Sequence, residues 1–156
     1  MGKYGSCNFD GVKDLRKQLS TFKEVQVQQF IEACAKELAA RLLAKVIKRT
    51  PVGVYPSGSG KVGGTLRRGW TAGKNQNATS YAQSLQIQHI GDEYIIVITN
   101  PVEYSSYVEF GHRTRNHKGW VEGKFMLTIS EQEIQTIAPK VLENKIKKLL
   151  GECFTW

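Results

Sequence analysis

EVQVQQFIEACAKELAARLLAKVIK, residues 24–48, carries the strongest secondary-structure signal in the chain. Apolar side chains recur there every four positions beside a second apolar row, which is the pattern of an amphipathic helix. The first row is Phe30, Cys34, Leu38, Leu42 and Val46, and the second is Ile31, Ala35, Ala39, Leu43 and Ile47. Such a helix is roughly 37 Å long, and Pro51 limits its extension. We predict that it spans the whole domain, with Cys34 packed in its apolar stripe.

A second long helix is predicted over residues 125–150. Its apolar residues lie on one side and are Ile129, Ile134, Ile137, Val141, Leu142, Ile146, Leu149 and Leu150. Pro139 removes one backbone donor and predicts a kink or a split. Shorter helices are predicted near residues 10–21 and over residues 103–110, the latter ended by Gly111, which suits a left-handed C-cap.

The region between the long helices predicts strands. Residues 84–90 and 94–99 form a predicted β-hairpin around Gly91, Asp92 and Glu93. Its second strand is apolar on both faces and is therefore expected to be central. Residues 65–71 are expected to begin a strand, and residues 73–80 to form a loop. The predicted fold class is α+β, a small, mainly antiparallel sheet packed by two long helices, N-terminal and C-terminal.

The chain of 156 residues predicts a single domain over residues 1–156. Within it, residues 51–64, PVGVYPSGSGKVGG, are predicted to form a long flexible loop. Nine of the fourteen residues are Gly, Pro or Ser, so burial cannot offset the entropy of ordering the segment. Loops of this length in compact domains are usually functional or disordered.

The charge is strongly positive and unevenly distributed. The 22 basic residues exceed the 14 acidic ones by 8, and no acidic residue lies between Glu37 and Asp92. That acid-free stretch holds eight basic residues, and a second basic cluster occupies residues 112–118. This clustering favours a surface that meets a polyanion or an acidic neighbour over a merely solvated one.

Composition excludes several classes of protein. The 40% hydrophobic and 23% charged residues are near globular averages, and no run approaches the roughly 18 apolar residues of a membrane helix. The first residues lack a signal-peptide pattern, so we expect a soluble protein that folds inside a cell. The three cysteines have no metal-ligand or disulfide spacing, so neither a metal nor a disulfide framework is expected.

No motif predicts catalysis or a cofactor. Residues 58–63 match the GxGxxG pattern formally but lack the strand before and the helix after it. A nuclease reading rests on four neighbouring candidates, namely Glu103, Glu109, His112 and His117. No metal-binding motif or helical carboxylate pair accompanies them. His89 is expected to be a packed or edge histidine. Trp70 and Trp120 follow basic clusters, which fits base stacking, an interface anchor or core packing.

Four motifs together resemble a known family. They are TPV at 50–52, GTLRRGW at 64–70, NPVEYSSYVEFGHRTR at 100–115 and WVEGKFML at 120–127. The series resembles the head-to-tail joining proteins, also called tail-completion or neck proteins, of long-tailed double-stranded-DNA bacteriophages. The likeness covers about residues 24–150. One departure is an insertion of about residues 54–62 between the first two motifs.

The resemblance implies a structural role, without catalysis, cofactor or membrane. Such proteins form a ring, typically six-fold, which joins the tail to a head-closure or connector protein and meets a tail terminator or tail tube protein. Genomic DNA passes through the lumen without sequence-specific contacts. The implied location is the neck of the virion, after assembly in the bacterial cytoplasm. A tail terminator and a basic nucleic-acid-binding protein remain the alternatives.

A ring needs contacts between two different faces of the subunit. The acid-free residues 38–91 and the more acidic residues 92–152 are candidates for two such faces. The residues expected to make assembly contacts are Tyr55, Lys61, Arg67, Arg68, Trp70, Tyr107, Glu109, Arg113, Arg115 and Trp120.

Overall fold

The computed structural model describes residues 24–153. Its elements are α1 (Glu24–Arg49), α2 (Thr65–Gly69), α3 (Ala78–Ser84), β1 (Ile87–Ile90), β2 (Glu93–Ile96), α4 (Ser105–Phe110), β3 (Gly111–Arg113), β4 (Trp120–Glu122) and α5 (Met126–Cys153). The α+β class with two long helices is confirmed. The helix predicted near residues 10–21 lies outside the described residues.

Helices α1 and α5 run antiparallel along the length of the molecule. Lys145 Nζ lies 2.6 Å from Glu37 Oε2, whereas Lys45 Nζ lies 2.6 Å from Glu133 Oε2 nearer the other end of α1. Pro139 sits inside α5, and the helix continues through it. Of the predicted kink or split, the split does not occur, and the kink stays a prediction.

The core forms where α1 meets three other helices. Leu43 and Val46 of α1 are fully buried, together with Met126 at the start of α5. The remaining buried members of this cluster are Ala39, Leu66, Trp70 and Ala82. Cys34 is buried in the apolar stripe of α1, as predicted. Of the two predicted apolar rows, Val46 of the first and Ala39 and Leu43 of the second belong to the core cluster. Phe30, Cys34 and Leu38 of the first row instead line a groove with Tyr94 of β2 and Leu142 of α5.

Two segments form helices where the sequence predicted otherwise. Residues 65–69 are helical rather than extended, and Leu66 and Trp70 are both buried in the core cluster to which α1 contributes Ala39, Leu43 and Val46. Since a spacing of four residues places two side chains on one face of a helix or of a strand, the pattern alone did not distinguish the two. Residues 78–84 also form a helix, whose first turn is capped by Asn77 Oδ1 accepting from Ser80 N at 2.8 Å. The hairpin strand predicted from residue 84 therefore begins only at Ile87.

The β structure consists of two separate antiparallel hairpins rather than one sheet. β1 pairs with β2 in the register Ile87↔Ile96, and β3 pairs with β4 in the register Arg113↔Trp120. The prediction that residues 94–99 form a central strand is wrong, since β2 has one partner strand and ends at Ile96. Its apolar side chains are explained by helices instead, because Ile96 and Ile98 pack against the core cluster.

Candidate assembly interface

The C-terminal end of α1 is tied by two residues that the sequence analysis assigned to assembly. Thr50 Oγ1 donates to Val46 O at 2.6 Å and accepts from Trp70 Nε1 at 2.8 Å. Arg67 donates through Nη2 to Thr50 O at 2.7 Å. A guanidinium on a terminal carbonyl also complements the negative end of the helix dipole. Trp70, only 3% exposed, and Arg67 are thus used inside the subunit.

Residues 51–64, here called the arm, leave the body at this junction. The segment has no helix or strand, and residues 51–62 are all exposed. Val54 is 95% exposed and Val62 75% exposed. Lys61 Nζ lies 5.8 Å from the centre of the Tyr55 ring, within cation–π range. The arm therefore presents apolar, aromatic and cationic groups to the outside.

A cleft lies between the arm and α4. Its walls are Val52, Tyr55 and Val62 from the arm, and Tyr104 and Val108 from the α4 region. The far end of the arm is held by Arg68, whose Nη1 donates to Gly63 O at 3.2 Å. The arm and α4 therefore form one continuous surface.

Glu109 is a buried carboxylate that joins α4 to the start of α5. Its Oε2 accepts from Leu127 N at 2.9 Å, and its Oε1 accepts from Thr128 N at 2.9 Å and from Thr128 Oγ1 at 2.7 Å. A carboxylate at a helix N-terminus satisfies free backbone donors and complements the dipole. Like Trp70, Glu109 has its side chain engaged within the subunit.

Several aromatic side chains around α4 and the β3–β4 hairpin are exposed, and we call them the aromatic face. Tyr107 and Phe110 lie three positions apart on α4, which places them on one side of the helix. The members of the face are Tyr104, Tyr107, Phe110, Trp120 and Phe125. Apolar patches of this kind mark interaction surfaces.

Sequence reasoning found Tyr107 and Trp120 but missed Phe110 and Phe125. Both phenylalanines were treated as ordinary apolar residues at the ends of predicted helices. The available signal was the three-residue spacing of Tyr107 and Phe110, which makes them neighbours on the surface of a short helix.

The loop between β3 and β4 is held by its own hydrogen bonds. Thr114 Oγ1 donates to Asn116 Oδ1 at 2.7 Å and accepts from Gly119 N at 3.0 Å. Asn116 Oδ1 also accepts from Lys118 N at 3.1 Å, and Thr114 O accepts from His117 N at 2.8 Å. Arg113 and Arg115 point their charges outward from this loop and are exposed.

Part of the basic stretch seen in the sequence is neutralised inside the subunit. Lys45 and Arg49 both pair with Glu133, and their hydrogen bonds hold the pKa of its carboxyl below the ordinary value. Lys145, followed by Arg41, lowers the pKa of Glu37 in the same way. The proposed contrast between a basic and an acidic face is therefore reduced by pairing between α1 and α5.

The arm, the short helices around it and the part of the aromatic face on α4 lie in a region that a known family shares. The model of the HK97-gp10-like family, described as a bacteriophage tail component, matches residues 13–111. The chain belongs to this family. No curated protein and no solved structure matches it significantly. Membership in the HK97-gp10-like family identifies a tail-related structural protein of a phage.

The HK97-gp10-like match covers α1, the arm and α4, and it ends at Gly111, the first residue of β3. The basic loop and α5 lie beyond it. Tyr55, Lys61, Arg68, Tyr107, Arg113, Arg115 and Trp120 are all on the surface. The structure thus separates these seven predicted contact residues from Arg67, Trp70 and Glu109, whose side chains stabilise the subunit itself.

The nuclease reading gains no support from the geometry. Glu109 is occupied by the start of α5, and the rings of His112 and Tyr107 are 5.7 Å apart in an edge-on contact. Over residues 24–153, no three His, Cys, Asp or Glu side chains are grouped so as to hold a metal ion. His89, which was expected to be packed or at an edge, contacts the Tyr94 ring and lies 3.2 Å from Glu32 Oε1. None of the helices in the described part of the chain is long and apolar enough to cross a membrane.

Proposed function

We propose that this protein is a non-enzymatic ring subunit of the phage neck, a tail-completion protein that joins the tail to the head connector while DNA passes through the ring. Membership in a phage tail-component family supports the structural role. The observation that carries the ring is the exposure of the arm, which lines a cleft with Tyr104 and Val108, together with the exposed aromatic side chains around α4 and the β3–β4 hairpin.

The arm favours contact with another protein. Val54 and Val62 lie almost entirely in solvent, although burying a valine side chain is worth about 1.5 kcal/mol. A segment of this composition gains order most readily against a partner, and it can cover a large area when it does so. In the proposed ring, the arm reaches from one subunit to the next, where these apolar groups are buried.

The aromatic face supplies anchors of the type found in the centre of interfaces. Phe110 and Trp120 are 61% and 60% exposed, and large aromatic side chains contribute most of the binding energy in many complexes. A closed ring repeats one heterologous contact, in which this face meets a different face of the neighbouring subunit. The same surface also provides contacts to the rings above and below.

The test is a comparison of exposed apolar residues within and outside this surface. Phe110→Ser and Trp120→Ser are expected to prevent ring formation by the purified protein, or to yield separate heads and tails when they replace the wild type in the phage. The control is Ile90→Ser, because Ile90 is also 60% exposed but lies on the separate β1–β2 hairpin. Light scattering measures the oligomer, and electron microscopy counts joined particles.

Normal rings and normal joined particles from both aromatic variants would contradict the proposal. If the variants fail while Ile90→Ser succeeds, imaging of labelled subunits separates the two phage roles. A label between head and tail indicates tail completion, whereas a label at the end of tails that have no head indicates a tail terminator. The Arg67 side chain is not used in this test, because its loss would damage the end of α1.

A further inference from the structure

The basic tip of the β3–β4 hairpin, residues 113–118, is a preformed cationic loop. Six hydrogen bonds that involve Thr114, Asn116 or Gly119 hold the loop. His117 has φ 57, a left-handed conformation that these bonds support. Because the backbone is already held, little ordering entropy has to be lost when the tip binds a partner.

The side chains of the tip are charged or polar, and none of them is apolar. Arg113, Arg115 and Lys118 are exposed and, within residues 24–153, belong to no ion pair. No carboxylate occurs between Gly111 and Val121, and residues 114–119 contain no apolar side chain. Protein interfaces typically combine charge with apolar or aromatic anchors, as the arm does with Val54 and Tyr55. The tip lacks them.

We propose that the basic tip binds the phosphate backbone of duplex DNA without reading its sequence. The two guanidinium groups offer planar, paired donors that match phosphate oxygens, and each cation that replaces a condensed counterion adds a salt-dependent gain in affinity. Contacts to phosphates position a protein on DNA but carry no base information.

This inference rests on the proposed function for the source of the DNA, which is the genome passing through the ring. Binding by the tip is a property of the subunit itself and is measured without a phage. The two ideas can therefore fail separately.

The experiment measures binding of the full-length protein to a 30-base-pair duplex of mixed sequence by fluorescence anisotropy, from about 20 to 150 mM salt. Three phosphate contacts give a slope of about −3 for the logarithm of affinity against the logarithm of salt concentration. The combined variant Arg113→Gln, Arg115→Gln, Lys118→Gln should lose most of this slope and bind at least about 30-fold more weakly at the lowest salt.

Two variants separate the tip from net charge and from loop shape. Lys140→Gln, Lys147→Gln, Lys148→Gln removes the same number of charges from the exposed side of α5, where they pair with Glu143 and Glu152, and should keep the wild-type slope. Thr114→Val keeps every charge but removes the hydroxyl that organises the loop. It should keep the slope and bind about threefold more weakly.

Wild-type affinity in the tip variant, equal losses in the α5 control, or no binding by the wild type at 20 mM salt would each overturn the inference. Equal competition by polyglutamate of the same charge would also overturn it, since the tip would then suit an acidic protein. Light scattering on the same samples reports ring formation. Rings without DNA binding would contradict the proposal that the tip binds DNA and would leave the neck assignment standing. DNA binding without rings would contradict the neck assignment and would leave DNA binding by the tip standing.

Discussion

The arm and the β3–β4 hairpin are both basic, and both contain a glycine with φ above +80°. They differ in how many internal hydrogen bonds hold the backbone. The arm extends over fourteen residues with two internal hydrogen bonds of 3.2 and 3.3 Å, from Ser59 N to Pro56 O and from Lys61 N to Ser59 Oγ. The six loop residues of the hairpin are held by several bonds to Thr114 and Asn116. The arm thus carries one cation, Lys61, on an exposed segment with little internal support, whereas the tip carries Arg113, Arg115 and Lys118 on a loop that is already shaped.

The difference teaches that net charge does not identify a ligand. The arm combines its single cation, Lys61, with Val54, Tyr55 and Val62, and that mixture suits a protein surface. The hairpin tip offers fixed cations in a loop that itself contains no apolar side chain, with Trp120 beside Arg113 at its base, and such cations suit phosphate. The arm and the hairpin tip differ in the apolar side chains near their cations and in the number of hydrogen bonds that hold their backbones.

The largest expected effect comes from matched glycine substitutions in the two segments. Gly111 and Gly58 have φ values of +85° and +82°. A Cβ at Gly111 would overlap the carbonyl oxygen of Val121 in the paired strand, whereas none of the described atoms lies within 4 Å of one at Gly58. We expect Gly111→Ala to cost at least about 3 kcal/mol of unfolding free energy, and Gly58→Ala about 1 kcal/mol.

Urea denaturation of the two variants measures this difference. The excess at Gly111 reports its backbone conformation, φ 85° and ψ 171°, together with the close approach of the paired strand. Equal denaturation midpoints would mean that the hairpin is no more tightly built than the arm, and the contrast between the two segments would be lost.

A smaller effect is expected from two adjacent arginines at the base of the arm. Arg67 donates to Thr50 O at the end of α1, while exposed Arg68 donates to Gly63 O in the arm. Arg67→Met should cost about 1–2 kcal/mol, because it leaves a terminal helix carbonyl without this partner. Arg68→Met should stay within about 0.5 kcal/mol. Thermal melts of the two variants compare them directly, and a larger loss at Arg68 would show that the arm, not α1, depends on this pair.

The smallest effect is a pH dependence in the body of the subunit. Lys145 and then Arg41 lower the pKa of Glu37 in the folded chain. The pairing therefore stabilises the fold above the ordinary Glu pKa and is lost as the pH falls through the lowered folded-state value. Below about pH 5, wild type should lose more stability than Glu37→Gln, by less than about 1 kcal/mol.

Urea midpoints between about pH 3 and pH 7 test this difference. Glu103→Gln is the control, because exposed Glu103 belongs to no ion pair in the part of the chain that the structure describes. Its pH dependence should match that of the wild type. An identical dependence in Glu37→Gln would show that the α1–α5 ion pair adds nothing to the stability of the body.

Local patterns predicted the parts of the fold that depend on neighbours along the chain. The four-residue repeat predicted α1, the turn at Gly91 predicted the β1–β2 hairpin, and Gly111 marked the end of α4. Local patterns did not predict the helix at residues 65–69, where Leu66 and the following Trp70 pack in the core cluster with residues of α1. Propensity is a weak guide in short segments where tertiary burial decides.

The sequence by itself determined the α+β class, the two long helices, the excess of positive charge and the likeness to phage head-to-tail joining proteins, since periodicity, composition and motifs are written in the order of residues. Only the tertiary structure decided which of the candidate contacts face outward. It turned Arg67, Trp70 and Glu109 inward and brought Phe110 and Phe125 to the surface. The physical reason is that exposure and hydrogen-bond partners depend on elements far apart in the chain, such as Glu109 and the first turn of α5, which no local pattern brings together.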